Sequence, residues 1–186
     1  MVINRHYIKT LSEITTTYLG ITQEYKQECI QEAYNIGDKQ NYQTNVKAFM
    51  SSYKIWEETD VYNDLLHRIQ DEISTKLNLI YTKSFEYELG NAWTAIYKEG
   101  HYTIPHDHIP SQISFVYYLK SNTNSSPLLF EGDNFQVNTN DDLLVTFPSH
   151  LLHRVSKHKG EDRICLAGNL NYKPTKTNNK LSDGNS

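Results

Sequence analysis

Two different hydrophobic periods divide this chain near residue 81, and that change restricts the folds open to it more than any other feature. Before the change, apolar residues recur at helical spacing. Ile14, Tyr18, Ile21, Tyr25, Cys29 and Ala33 follow one another three or four residues apart in a proline-free run. That run predicts a helix over 11–35, with Gly37 as its stop. A loop rich in Asn and Gln over 38–45 separates it from a second pattern over 60–79. There Leu65, Leu66, Ile69, Ile73 and Leu77 build one apolar stripe, and Asp60 is the candidate N-cap. After the change, Phe85-Glu86-Tyr87-Glu88-Leu89 alternates strictly, the period of a half-buried strand. Further strand-like segments follow at 92–97, 112–119, 128–130, 135–137, 143–147, 153–156 and 163–170, separated by turns rich in Asn, Asp, Gly and Ser. Eight short strands after two helices predict a mostly β chain with N-terminal helices: a jelly roll or barrel with the helices packed outside. The expected organisation is one domain over 1–172, with helical support over 1–80 and the β core over 81–172. The polar stretch 173–186 is expected to be a disordered tail.

Composition removes several classes of function. Eighteen basic side chains face 22 acidic ones, for a net charge of −4, which gives no electrostatic footprint for nucleic acid. No apolar run approaches the roughly 18 residues that span a bilayer, and the first residues lack the apolar core of a signal peptide, so no membrane partner is expected. Cys29 and Cys165 allow one disulfide, but neither belongs to a metal-binding cysteine pair and Cys165 lies in an apolar run. Buried free thiols in a reducing compartment, the cytoplasm, are the expectation.

The chemistry concentrates in three of the eight histidines. His106 and His108 are two residues apart, and in extended backbone such residues face the same side, with Asp107 pointing away. His153 begins a later strand, after Phe147-Pro148-Ser149. Two histidines from one strand and a third from a distant one can supply three facial metal ligands and leave other positions open. The plainer alternative is three hydrogen-bonded or surface histidines. His6, His67, His101, His150 and His158 are read as structural or exposed. Arg163 follows His153 by ten residues. A hairpin centred near His158 sets the two opposite each other on one face, where a guanidinium can hold a carboxylate through two parallel hydrogen bonds. A surface arginine at a strand start is the alternative. The apolar run Ile164-Cys165-Leu166-Ala167-Gly168 behind it argues for a position near the core and a need for an anionic partner.

Taken together, Asn91-Ala92-Trp93, His106-x-His108, Ser114-Phe115-Val116-Tyr117-Tyr118-Leu119, Phe147-Pro148-Ser149 with His153, and Arg163-Ile164 leading to Asn169 resemble the iron(II)- and 2-oxoglutarate-dependent oxygenases. Within that superfamily the pattern is most similar to a subgroup of small bacterial and phage proteins. The resemblance covers 91–169, under half the chain. It implies a double-stranded β-helix, the jelly-roll or cupin-like core, and assigns His106 and His153 to Fe(II). It also implies that Arg163 holds the distal carboxylate of 2-oxoglutarate, with Tyr118 or Tyr117 bonded to the same co-substrate. Better-known members carry a carboxylate where this chain has His108, so His108 is read as the third ligand, giving three neutral nitrogens and one negative charge fewer. The implied activity is a dioxygenase that consumes molecular oxygen, decarboxylates 2-oxoglutarate to succinate and hydroxylates a protein or small-molecule substrate. Its implied place is the cytoplasm, a host's if the chain is phage-encoded. Two other readings stand beside it. Gly100, five residues, His106-x-His108 and Pro148-x-His150-x-x-His153 approach the two cupin motifs, with Gln112 and His150 as departures, which points to a three-histidine metal dioxygenase without 2-oxoglutarate. A non-catalytic jelly-roll binding module is the other, for which 14 tyrosines offer contact surface.

Overall fold

The structure, a computed structural model, describes residues 13–80, 86–132 and 135–173. In chain order the elements are β1 (Thr15–Tyr18), α1 (Gln23–Ile36), β2 (Val46–Lys47), β3 (Phe49–Met50), a 3-10 turn (Ile55–Glu57), α2 (Asn63–Ile80), β4 (Glu86–Tyr97), β5 (Tyr102–His106), β6 (Ile113–Lys120), β7 (Leu128–Phe130), β8 (Phe135–Val137), β9 (Leu143–Pro148), β10 (His153–Val155) and β11 (Arg163–Lys173). The strands form a six-stranded sheet in the order β1-β9-β6-β11-β4-β3 and a five-stranded sheet in the order β2-β5-β10-β7-β8. Neighbouring strands in both sheets run antiparallel. The expected jelly-roll core with helices outside is the observed architecture.

Side-chain alternation explains how the layers stack. Phe115, Tyr117 and Leu119 of β6 and Ile164 and Leu166 of β11 join Cys29, Ala33, Leu65, Leu66, Ile69 and Ile73 of the helices in one buried cluster. Their sequence neighbours Val116, Tyr118, Cys165 and Ala167 turn the other way and meet Val46, Leu128, Phe130 and Val155 of the smaller sheet in a second. The six-stranded sheet is therefore covered on both faces, which is why its strands read as continuous apolar runs. The stripe foreseen on α2 is the buried one, with Leu65 and Ile69 wholly inaccessible.

Several boundaries depart from the sequence reading. The first helix starts at Gln23, not near residue 11, and Thr15-Thr16-Thr17-Tyr18 is an edge strand on β9. Three β-branched threonines favour extended backbone, and the apolar spacing across them mimicked a helix. Thr22 caps α1 by accepting the Tyr25 N–H at 3.2 Å, and Gly37 ends it with φ 66°, its N–H donating to the Ala33 carbonyl. Asp60 does not adjoin α2, which starts three residues later at Asn63, and its carboxylate accepts from the Asn63 side-chain amide. Strands β2, β3 and β5 were not foreseen. Pro105 inside β5 masked that strand, since proline reads as a breaker. Phe85 and 174–186, including most of the expected tail, lie outside the described residues, while Lys173 ends β11.

The expected hairpin between residues 153 and 163 does not form. β10 pairs with β5 and β7, and β11 pairs with β4 and β6 in the other sheet. The connection over 156–162 crosses between sheets. It is pinned to the β4–β5 turn, which crosses in the same way: Gly100 N–H donates to the His158 carbonyl and His158 N–H to the His101 carbonyl, at 2.8 and 2.7 Å. Cys29 and Cys165 are buried free thiols in different clusters, as foreseen. No helix among the described residues is long and apolar enough to cross a membrane.

Asp142 ties the N-terminal segment to the core. At φ 66° its carboxylate accepts the Gly20 N–H at 2.7 Å, the Ile21 N–H at 3.4 Å and the Tyr117 hydroxyl at 2.6 Å. Asp142→Ala leaves the Tyr117 hydroxyl and the β1–α1 turn without their acceptor. It is predicted to cost about 2–3 kcal/mol in chemical denaturation, with an unchanged m-value.

Candidate metal centre

His106 is the last residue of β5 and His153 the first of β10, and the two are Cα partners in the antiparallel ladder. Residues directly opposite in a ladder project to the same face, so the pairing alone brings their imidazoles together. Their ring centroids are 4.4 Å apart. His108 arrives differently from the same-strand geometry foreseen, because β5 ends at His106 and His108 sits in the loop beyond. That loop is fastened by the His108 N–H donating to the Ser149 carbonyl at 2.8 Å and the Ser111 N–H to the His108 carbonyl at 3.0 Å. The His108 ring comes within 4.9 Å of His106 and 5.0 Å of His153, centroid to centroid, and packs 5.7 Å from Trp93. One ligating atom from each of the three lies within 4.8 Å of the others. Asp107, between two of them, turns its carboxylate back to the Ile109 N–H. No other described histidine joins the cluster, and His6 lies outside the described residues.

Backbone carbonyls fix the ring tautomers. Nδ1 of His106 meets the Ile104 carbonyl and Nδ1 of His153 meets the Leu151 carbonyl, each at 2.9 Å. A carbonyl can only accept, so both Nδ1 atoms carry the proton and both Nε2 atoms keep a free lone pair. Burial pulls the His153 pKa down to about 3, helped by the neighbouring His106, and burial with His106 pulls His108 down to about 4. His106 is lowered as well, chiefly by burial. All three are neutral at pH 7, the state that binds a metal.

The cavity beside the cluster is lined by His106, His108, His153, Thr103, Cys165 and Arg163, among others. Arg163 comes from the six-stranded sheet, with Tyr97 as its Cα partner, so it faces the histidines from the opposite sheet instead of standing next to His153. Its side chain is 1% exposed. The guanidinium carbon stands 4.6 Å from the Tyr97 ring centroid and 5.1 Å from that of Tyr118. One terminal nitrogen donates to the Ser126 carbonyl at 2.9 Å, while Nε has no partner among the described residues. No carboxylate among the described residues pairs with it. The Tyr118 hydroxyl beside it is also buried without a partner. Burial raises its pKa, with Arg163 pulling the other way, so the phenol stays protonated and can donate. Tyr117 faces the helical layer instead, spending its hydroxyl on Asp142, and is remote from this cavity. Tyr97 and Thr103, not singled out from the sequence, complete the pocket through a 2.6 Å hydroxyl–hydroxyl bond. The signal for them was absent because it lies in strand register, which local patterning does not specify.

The arrangement has two ends. Three neutral imidazoles with two tautomers locked suit a divalent metal, and leave its full charge uncompensated by protein. A buried guanidinium with a spare N–H, next to an orphaned hydroxyl, suits a carboxylate. An anion with two acidic groups fits this donor set.

Comparison with known proteins bears on the fold. No protein-family model and no curated protein matches the chain. Solved structures do. A viral collagen prolyl hydroxylase from Paramecium bursaria Chlorella virus-1, in complex with 2-oxoglutarate, is similar with a TM-score of 0.64 at 15% identity, over 84% of this chain and 94% of that one. A Pseudomonas putida prolyl-4-hydroxylase gives 0.64 at 14% identity, over 87% and 93%. HygX from Streptomyces hygroscopicus, with nickel and 2-oxoglutarate bound, gives 0.64 at 9% identity, over 86% and 83%. The chain shares the fold of these proteins.

His153→Ala removes the ligand supplied by β10 while the β10 ladder, built from backbone, persists. Titration with Co(II) is predicted to show binding by the wild-type chain and binding weakened more than about a hundredfold in the variant, a larger loss than an outer-shell change causes, with superimposable far-UV circular dichroism.

Proposed function

We propose that this chain is an Fe(II)- and 2-oxoglutarate-dependent dioxygenase that hydroxylates a protein or small-molecule substrate. In this reading His106, His108 and His153 hold the metal, and Arg163 with the Tyr118 hydroxyl holds the distal carboxylate of 2-oxoglutarate. The observation that carries it is Arg163: a buried cation, facing the histidine cluster across one cavity, with no carboxylate and no Nε–H acceptor among the described residues. Leaving a charge that way is costly without a ligand anion. The likeness in fold to proteins solved with 2-oxoglutarate supports the same reading.

When bound, the iron and 2-oxoglutarate supply the oxidising chemistry: dioxygen is reduced, 2-oxoglutarate becomes succinate and carbon dioxide, and one oxygen atom enters a substrate C–H bond. The chain's own residues do the rest. The Ile104 and Leu151 carbonyls hold two imidazoles in the ligating tautomer. The Tyr97 and Tyr118 rings both lie against the guanidinium and keep its fork oriented. Phe147, Phe130 and Val155 exclude water from the inner wall, which strengthens each charge interaction within it. Three neutral ligands leave the metal more dependent on the bound dianion for charge balance than a carboxylate-containing set does.

A cupin-type enzyme that ignores 2-oxoglutarate would share the histidines, but it leaves Arg163 without a task. The test is anaerobic: Co(II) or Fe(II) is added to saturation, then 2-oxoglutarate is titrated while metal absorption is followed. The reading expects the co-substrate to perturb the metal spectrum and expects succinate release with a true substrate. A metal-loaded protein indifferent to 2-oxoglutarate overturns it in favour of the cupin type, and a chain that binds no metal favours a non-catalytic module. Arg163→Met, close in volume but uncharged, is predicted to weaken 2-oxoglutarate binding by roughly 10- to 150-fold, the worth of a charge-assisted hydrogen bond, with metal affinity nearly unchanged. Arg163→Lys keeps the charge, loses the fork and is predicted to fall between. An affinity unmoved by Arg163→Met removes this residue from the role.

A further inference from the structure

Four polar side chains that neither the metal cluster nor the cavity uses are joined in one line across the six-stranded sheet. Asn91 on β4, Asn169 on β11 and Ser114 on β6 are successive Cα partners, and Ser149 follows directly on β9. The Asn169 side-chain amide donates to the Asn91 side-chain oxygen at 2.7 Å, and the Ser114 hydroxyl donates to Asn169 Oδ1 at 2.7 Å. The Ser114 hydrogen being used, the 2.8 Å bond between the two serines runs from the Ser149 hydroxyl to Ser114 Oγ. The direction of every hydrogen is thereby set, from Ser149 inward to Asn169. Ser149 is 0% exposed, Ser114 1% and Asn169 2%. Apolar residues of similar shape would fill this row at little cost, so a fully satisfied polar row is a specific device.

Its outer end is where the third histidine is attached. The Ser149 carbonyl accepts the His108 N–H at 2.8 Å, and the Ser149 N–H donates to the Gln112 carbonyl at 3.0 Å, closing the far end of the same loop. His106 and His153 have their rings oriented by carbonyls, and their Cα positions by a strand ladder. His108 has neither: it lies beyond β5, and among the described residues its ring makes no hydrogen bond. Its orientation depends on its backbone and on the Trp93 ring.

We infer that the row Asn91–Asn169–Ser114–Ser149 is the positioning element for His108, transmitting the rigidity of four sheet strands to the one metal ligand that lacks its own. This rests on the three-histidine metal reading. The residues act through His108 and touch neither metal nor co-substrate.

Co(II) affinity and ligand-field absorption separate this role from general stability. Ser149→Ala and Ser114→Ala delete the same hydrogen bond from opposite sides, so one reports if the other fails to fold. Each is expected to weaken Co(II) binding roughly tenfold, as loss of an outer-shell partner does, and to shift the spectrum toward that of His108→Ala. Adding Ser114→Ala to His108→Ala is expected to cause no further loss. Wild-type affinity and spectrum in the folded serine variants, or an additive loss in the His108→Ala background, overturns the positioning role while the metal reading stands. A wild-type chain that binds no Co(II), or equal binding by wild type and His153→Ala, overturns the metal reading and this inference with it.

Discussion

A sheet with two apolar faces has to be covered twice, and most of this architecture follows from meeting that demand. β6 and β11 send alternate residues into two separate cores, the helical layer on one side and the second sheet on the other. Ile164 and Leu166 face the helices, so Arg163, Cys165 and Ala167 face the sandwich interior. The position of the buried cation is thus decided by strand register. A slip of one residue would send Ile164 into the cavity and the guanidinium into the apolar layer under α1 and α2, where its charge would be buried without a partner. The same alternation separates Tyr117 from Tyr118, adjacent in sequence and assigned to opposite faces.

What the sequence made legible follows from the same physics. Periodicity exposed the buried stripe of α2 and most of the core strands, because each is a local pattern imposed by a local face. The three histidines were legible as a group because residue type and spacing single them out together, and the structure brings them to one point. Two departures show why the rest is not. Thr15-Thr16-Thr17-Tyr18 was read as helix, since a helical spacing of apolar residues ran through a segment whose β-branched side chains and edge pairing on β9 decide otherwise. The partner of β11 was misassigned, because a short turn near His158 looks like a hairpin until the bonds from Gly100 and His158 to the β4–β5 turn reveal a crossover. Arg163 kept its predicted environment, buried and short of an anion, although the route by which it gets there is different.

The polar row behind His108 shows a limit of another kind. Asn91, Ser114, Ser149 and Asn169 all stood in the sequence pattern that the resemblance rested on, but singly each is an ordinary strand or turn residue. Only the ladder registers, Asn91 opposite Asn169 and Asn169 opposite Ser114, turn them into a continuous chain. Long-range pairing carries that information, and no window of local sequence contains it.

The two ends of the cavity belong to different sheets, and this bears on what can bridge them. His106 and His153 are rooted in the five-stranded sheet and Arg163 in the six-stranded one. Facing sheets stand about 10 Å apart, so the separation of histidine cluster and guanidinium is set by the thickness of the packed interior, through Phe130, Phe147, Val116 and Val155. Loop movements at the mouth leave that distance nearly untouched, because close-packed interiors yield little. A ligand that bridges the two ends has to be charged at both and matched in length to that layer. Under the proposed dioxygenase reading, discrimination among dicarboxylates becomes a property of core packing, and recognition of the substrate is left to the residues around the histidine cluster.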